Sequence, residues 1–349
     1  MKFRVFRGKK QPDKTMTDKT TRRDMLGKMI LGGAALGALG SNEETVLANK
    51  QQADDDVDGV SSATRKDTNW SKFADLKEPI PESTLCGIPM SRMILGGNLV
   101  SGFAHARDLI YVSDLVRAYH TKEKTFATFK LAEACGVNCF LMNPSLCETV
   151  NEYWEKADGA LQFMTNCSGR TPEQILANMQ KSIDHDASSI VIQGEAADRL
   201  VKEGDFETIK KCVELARKND LPAGIAAHRL ETLTACVNRK IIPDYWMKTF
   251  HHLNYWSAGT EGRGEHDNVF CREPDDTVKF MQDRPEPWVA FKVLAAGSIK
   301  PRDGFRYAFE SGADFICVGM YDFQIVDDVN ICVDVLKEKL NRKRSWIAS

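Results

Sequence analysis

The chain has 349 residues, of which 42% are hydrophobic and 28% charged, a globular composition that excludes disorder of the whole and allows a sizeable core. Its 47 Lys+Arg against 49 Asp+Glu leave a formal charge of -2, so no global field favours a polyanion such as nucleic acid, and a small-molecule substrate is the expected partner. Length alone permits one large α/β domain or two small ones.

The first residues are basic and polar, and Thr21-Arg22-Arg23-Asp24-Met25-Leu26-Gly27-Lys28 leads into the apolar, Gly/Ala-rich run Met29–Leu39, an n-region followed by an h-region. The run falls short of the roughly 20 residues that span a bilayer, so a retained anchor is not expected. The segment resembles the twin-arginine export motif. That resemblance implies engagement of the twin-arginine machinery, a periplasmic or other extracytoplasmic location, and cleavage after Gly40 or Ala48 with no stable membrane span afterwards. Residues 49–82, with Asp54-Asp55-Asp56, Ser61-Ser62 and few apolar positions, cannot bury enough surface to offset ordering entropy and read as a linker. The chain thus divides into an export signal (1–48), a polar linker (49–82) and a folded domain (83–349).

From Leu85 short apolar runs alternate with longer amphipathic ones, the signature of βα units around a parallel sheet. The strand candidates are Met93–Gly97, Cys139–Asn143, Leu161–Asn166, Ser189–Gln193, Ala223–His228, Tyr245–His251, Trp288–Ala295 and Phe315–Gly319. Thr171-Pro172-Glu173 and Lys300-Pro301 mark helix starts, and Phe206, Ile209, Val213 and Ala216 form an apolar stripe. Eight units predict an α/β fold of the (β/α)8 TIM-barrel type, with Thr84–Arg92 as a hairpin plugging its bottom. An open doubly wound sheet is the competing architecture. The ten cysteines lack CxxC spacing and sit largely in apolar runs, as at Cys135, Cys139, Cys212, Cys317 and Cys332, where a thiol is a small core group. Cys147 and Cys167, next to strand ends, are the two with a conceivable site role.

The stretch Gly87-Ile88-Pro89-Met90-Ser91-Arg92-Met93-Ile94-Leu95-Gly96-Gly97 resembles the opening hairpin and first strand of aldo/keto reductases. That family implies NADP-dependent hydride transfer by an Asp and a Tyr after strand two, a Lys at strand three and a His at strand four. This chain departs from all of them, ending those strands at Asn143-Pro144-Ser145, Asn166-Cys167 and Gln193-Gly194-Glu195. The whole chain also resembles a group of exported barrel proteins without an assigned reaction, through Lys-Thr-Phe-His-His (248–252) and Tyr-Trp-Ser (255–257).

An ionisable residue inside a barrel strand must be paired or functional. Lys248 on strand six and Lys292 on strand seven are the two candidates; crowding by apolar groups and a second cation lowers an amine's pKa and makes it a nucleophile. This predicts Schiff-base chemistry on a carbonyl substrate, with Lys248 as nucleophile or proton shuttle and Lys292 tuning it. Lys248-Thr249 and Lys292 also resemble the strand-six and strand-seven residues of deoxyribose-phosphate aldolase and similar class I aldolases. The structural alternative pairs the lysines with buried acids such as Glu195 or Asp322.

His228 and His251 end strands five and six and are candidate acid–base catalysts; with Glu195 they form an alternative divalent-metal set, without HxH or HExxH spacing to support it. His105 remains undecided, and His120, His185 and His266 read as structural. Gly297, Ser298 and Gly319, at the last two strand ends, are candidate anion-binding positions. The long loops Leu99–Lys122 and Leu253–Pro274 read as lids. Asn98, Asn143, Glu195, Tyr255, Trp256 and Arg107 are the substrate-binding candidates, the aromatics by stacking on a sugar ring and Arg107 or Arg263 by gripping an anion. Three readings follow: a lyase, aldolase or isomerase acting without a cofactor on a small carbonyl or sugar-derived compound, an NADP-dependent reductase, or a noncatalytic binding barrel.

Overall fold

Strand-sized apolar runs buried on both faces have one way to satisfy every backbone edge at once, which is to close the sheet. The computed structural model describes residues 70–105, 109–259 and 266–348, within a compact unit spanning Asp67–Ser349. The expected export signal and the linker up to residue 69 lie outside the described residues.

A hairpin of β1 (Glu82–Leu85) and β2 (Ile88–Ser91) precedes β3 (Met93–Gly96), β4 (Cys139–Met142), β5 (Gln162–Cys167), β6 (Ser189–Ile192), β7 (Ala223–Ala227), β8 (Tyr245–Thr249), β9 (Trp288–Phe291) and β10 (Phe315–Val318). The last eight run parallel, each bonded to the next, and β10 pairs with β3 to complete the ring. The fold is a (β/α)8 barrel. Helices α1 (Val112–Tyr119) and α2 (Lys122–Ala134) follow β3; α3 (Cys147–Ala157) follows β4 and α4 (Pro172–Asp184) follows β5. Both α5 (Gly194–Glu203) and α6 (Phe206–Lys218) follow β6. Then come α7 (Leu230–Asn238), α8 (Pro274–Gln282), α9 (Pro301–Ser311) and α10 (Asp322–Lys337). Thr171 caps α4 by accepting from the Gln174 N–H, and prolines open α4, α8 and α9 where a missing N–H costs nothing.

Alternation divides the core in two. Ile94, Leu141, Met164, Val191, Ala226, Met247, Val289 and Cys317 fill the interior, while their strand neighbours pack outward with Ile209, Val213 and Ala216 of the α6 stripe. Gly224 makes the lower interior possible: a Cβ there would lie 2.5 Å from Tyr245 Cζ, whose hydroxyl sits 2.7 Å from Ser189 Oγ. Leu85 and Met90 bring the hairpin into this interior cluster and plug the bottom. All the cysteines except Cys86 are buried, including Cys147 and Cys167, whose thiols burial pushes up to about 12 and about 11; both belong to the packing.

Two boundaries differ from expectation. Residues 70–82, assigned to the linker by composition, contain the 3-10 helix Trp70–Asp75 and the buried Ile80, whose N–H donates to the Cys135 carbonyl at 3.0 Å. The seventh barrel strand stops at Phe291 instead of Ala295, because Lys292, Ala295, Ala296 and Gly297 all take left-handed backbone angles.

The bottom is sealed a second time by the C-terminal tail. Asp314, 0% exposed, accepts from Arg344 Nη1 at 2.8 Å, from the Trp288 N–H at 2.9 Å and from the Ile347 N–H at 2.8 Å. Arg344→Met would strand that carboxylate inside the protein, and removing one partner of a buried pair costs about 3–5 kcal/mol. Urea unfolding should show a loss of that order while the native far-UV spectrum stays unchanged.

Candidate active site at the barrel mouth

Strand register decides which way each lysine faces. In β8, Met247 lies beside Ala226 and Val289, both interior, whereas Lys248 lies beside Ala227 and Ala290, which pack toward the helices. Lys248 is fully buried on that outer face, and its Nζ donates to the carbonyls of His228 at 2.7 Å and Thr249 at 2.9 Å. Burial does lower its pKa, as the sequence suggested. The amine nevertheless ties the ends of β7 and β8 together and is not presented to the mouth, which corrects its expected role as nucleophile.

Lys292 is the lysine at the opening. It follows β9 with φ +58°, a left-handed angle that takes it out of the strand's alternation. Its Nζ contacts His105 Nε2 and lies 4.1 Å from the centre of the Phe270 ring. Burial lowers its pKa to about 8, with Asp267 opposing the shift. His105 Nδ1 lies 2.8 Å from Asp267 Oδ2, so lysine, imidazole and carboxylate form one chain of contacts. Burial and then the Lys292 charge depress the His105 pKa, against the pull of Asp267. A neutral His105 that donates through Nδ1 to the carboxylate offers Nε2 as the acceptor for an amine proton. Neither lysine pairs with the acids expected in the structural alternative: Asp322 binds Lys124 at 3.0 Å, and Glu195 is exposed in the first turn of α5.

The two candidate histidines have different fates. His228 ends β7 on the interior side, with side-chain exposure of 31% and its ring edge-on to Phe291 at 5.7 Å. Its Nδ1 is 3.1 Å from Asp198 Oδ2, which leaves Nε2 for a ligand. His251 is 1% exposed and accepts at Nε2 from the N–H groups of Phe270 and Cys271, each at 3.0 Å, while Nδ1 donates to the His252 carbonyl at 2.9 Å. Both of its nitrogens are used inside the protein, so its expected catalytic role is replaced by a structural one. The same bonds remove it from the alternative metal set with His228 and Glu195.

The anion-binding expectation is corrected for Gly297 and Ser298. The Gly297 N–H donates to the Leu294 carbonyl at 2.9 Å and the Ser298 N–H to the Ala295 carbonyl at 3.2 Å, so neither points at an open cradle. Ser298 Oγ accepts from Asn268 Nδ2 at 2.7 Å. Gly297 is needed for its φ of +81°, and a Cβ on Gly319 would meet Leu99 Cγ at 3.6 Å. Among the substrate-binding candidates, Asn143 Oδ1 caps a 3-10 turn by accepting from the Ser145 N–H at 3.0 Å, and Asn98 is exposed with its carbonyl held by the Phe103 N–H. Tyr255 donates to the Asn268 carbonyl at 2.8 Å and packs on His251, while Trp256 is 77% exposed beside His266. Arg107 and Arg263 lie outside the described residues.

Sequence reading missed Asp198 and Asp267, which orient the two mouth imidazoles, and Asn166. The last follows Met164 by two residues, hence faces inward, and its buried Oδ1 has no partner among the described residues.

His251 yields a pH test. Burial lowers its pKa to about 4, so between that value and its ordinary 6.5 the unfolded chain binds more protons than the folded one. Stability should therefore fall as pH drops from 6.5 toward 4, by about 3 kcal/mol from this group alone. In His251→Gln, denaturant midpoints measured across that window should decline less steeply than in the wild type.

No family model matches the chain, and no curated protein matches it. Solved barrels do. A candidate aldo-keto reductase from Pseudomonas aeruginosa is 15% identical, with 75% of this chain and 100% of that one covered at a TM-score of 0.54. A truncated 3-deoxy-D-arabino-heptulosonate 7-phosphate synthase from Thermotoga maritima is 13% identical over 76% of this chain and 95% of that one, at a TM-score of 0.45. Deoxyribose phosphate aldolase from Aeropyrum pernix is 14% identical over 59% and 83%, at a TM-score of 0.39. At these identities the likeness is one of fold.

Proposed function

We propose that this chain is a barrel enzyme of the lyase, aldolase or isomerase type, which binds a small carbonyl or sugar-derived compound as a Schiff base on Lys292. The observation that carries this reading is the contact chain Lys292–His105–Asp267 at the mouth, with the amine held at about 8 by burial. A free amine adds to a carbonyl carbon, His105 Nε2 accepts the proton that the nitrogen sheds and passes it to the former carbonyl oxygen, and with a second proton from solvent that oxygen leaves as water, giving an iminium. The reductase reading has no support of this kind, since the side chains at the ends of β4 and β6 cap local turns, with Asn143 and Gln193 both accepting from backbone N–H groups.

Incubation with dihydroxyacetone and borohydride should add a stable mass to the peptide carrying Lys292, and Lys292→Arg should abolish it. His105→Ala should slow adduct formation by roughly 10²–10⁴-fold. Because the neutral amine reacts, the rate should rise with pH through about 8. NADPH should leave tryptophan fluorescence unchanged. Quenching by NADPH without an adduct would move the assignment to a reductase, and neither response would leave a binding barrel.

We further propose that the protein is exported by the twin-arginine route, on the evidence of Arg22-Arg23 and the apolar run after them. Arg22→Lys with Arg23→Lys should hold full-length chain in the cytosolic fraction, whereas wild-type protein should lose its N-terminus up to residue 40 or 48. Unchanged fractionation of the double variant would refute it.

A further inference from the structure

The mouth carries a second imidazole–carboxylate pair, two strands from Lys292. Asp198 of α5 accepts from the backbone N–H of His228 at 3.1 Å, from His228 Nδ1 at 3.1 Å, from Thr232 Oγ1 at 2.6 Å and from the Arg229 N–H at 3.4 Å. Burial works against its charge, yet the His228 and Thr232 bonds hold the carboxyl below the usual range. An ionised carboxylate only accepts, so His228 carries a proton on Nδ1, and in the neutral ring Nε2 is then the acceptor. The ring has been given room for this pose: a Cβ on Gly194 would lie 2.9 Å from His228 Cε1. Phe291, against which the ring packs, is the residue before Lys292, and both Lys292 and His228 lie within electrostatic range of the His105 imidazole.

We propose that His228, positioned by Asp198, is the base that removes the proton from the carbon next to the carbonyl of a compound bound to Lys292, so that the site enolises α-hydroxy carbonyl compounds. The inference rests on the Schiff-base reading of Lys292. In the step, Nε2 takes the α-proton, the C–H electron pair becomes the enamine double bond, and the iminium nitrogen is neutralised. Return of a proton from the imidazolium to carbon, followed by hydrolysis, releases the carbonyl compound and the amine. Lys292–His105 makes and breaks the imine; His228–Asp198 moves the carbon-bound proton. With separate groups for the two tasks, imine formation and proton transfer are open to separate measurement.

Dihydroxyacetone in D2O is the probe. Wild-type protein should replace its α-hydrogens with deuterium, read by proton NMR. Asp198→Asn, which preserves size but removes the acceptor that fixes the tautomer, should slow exchange by roughly 10²–10⁴-fold. Its borohydride adduct on Lys292 should form as in the wild type, and its melting temperature should stay close. Gly194→Ala, which pushes the ring from its seat, should slow exchange in the same way. Imidazole 15N shifts should show the Nδ1–H tautomer for His228 in the wild type. A wild type that forms no adduct overturns the Lys292 reading and this one with it. Adduct formation with exchange in Asp198→Asn within threefold of wild type, or an Nε2–H tautomer at His228, overturns the role of His228–Asp198 alone.

Discussion

Successive side chains of a β-strand point to opposite faces, and closing eight strands into a ring turns that alternation into a rule with no local exceptions. Sliding any one strand by a residue would exchange its interior and exterior sets and break the ladders on both sides. The rule sends Met247 inward and Lys248 outward because Ala226 and Val289 are inward beside the former. It equally directs Asn166 and His228 toward the opening, two residues beyond Met164 and Ala226. Lys292 escapes the rule, since the chain turns left-handed at that residue and the strand has already ended.

The architecture was legible in the sequence for the same reason that the faces were not. Eight short apolar runs separated by amphipathic ones state the βα repeat, but a strand buried on both sides carries no polar alternation to reveal its parity. Tyr245-Trp246-Met247-Lys248-Thr249-Phe250 reads the same in either orientation. The run from Val289 to Ala295 likewise looks like continuous strand, because the residues that break it, Lys292, Ala295 and Ala296, are not glycine and give no turn signal. His105 and Asp267 stand 162 residues apart, and Asp198 sits in a helix with nothing in its spacing to connect it with His228. These partnerships exist through closure of the ring.

Burial shifts the pKa of Lys248, Lys292, His105 and His251 in one direction, since a cation loses solvation in the protein. A depressed pKa therefore does not identify a catalytic group here. What separates them is where their lone pairs and protons go. Lys248 donates to two carbonyls and His251 uses both nitrogens on the backbone, so each holds loops in place. Lys292 meets another titratable side chain and His228 keeps one nitrogen uncommitted.

Holding Lys292 in a left-handed conformation costs on the order of 1–3 kcal/mol, and Ala295 and Ala296 add similar strain. Such a turn persists only if its surroundings over-determine it. Val293, Ala295 and Ile299 are buried in the packing, and Ser298 is bonded to Asn268, itself 0% exposed and bonded also to Ser257. Asn268 thereby fastens the loop after β8 to the turn after β9. Its chain neighbour is Asp267, the carboxylate that reaches His105. The buried amide thus fixes the spacing between Lys292 and Asp267, the two ends of the contact chain, and His105 is captured between them from a third loop. Strain in the turn and order in the Lys292–His105–Asp267 chain of contacts have one structural origin, which is why Lys292 lies just past the strand and not within it.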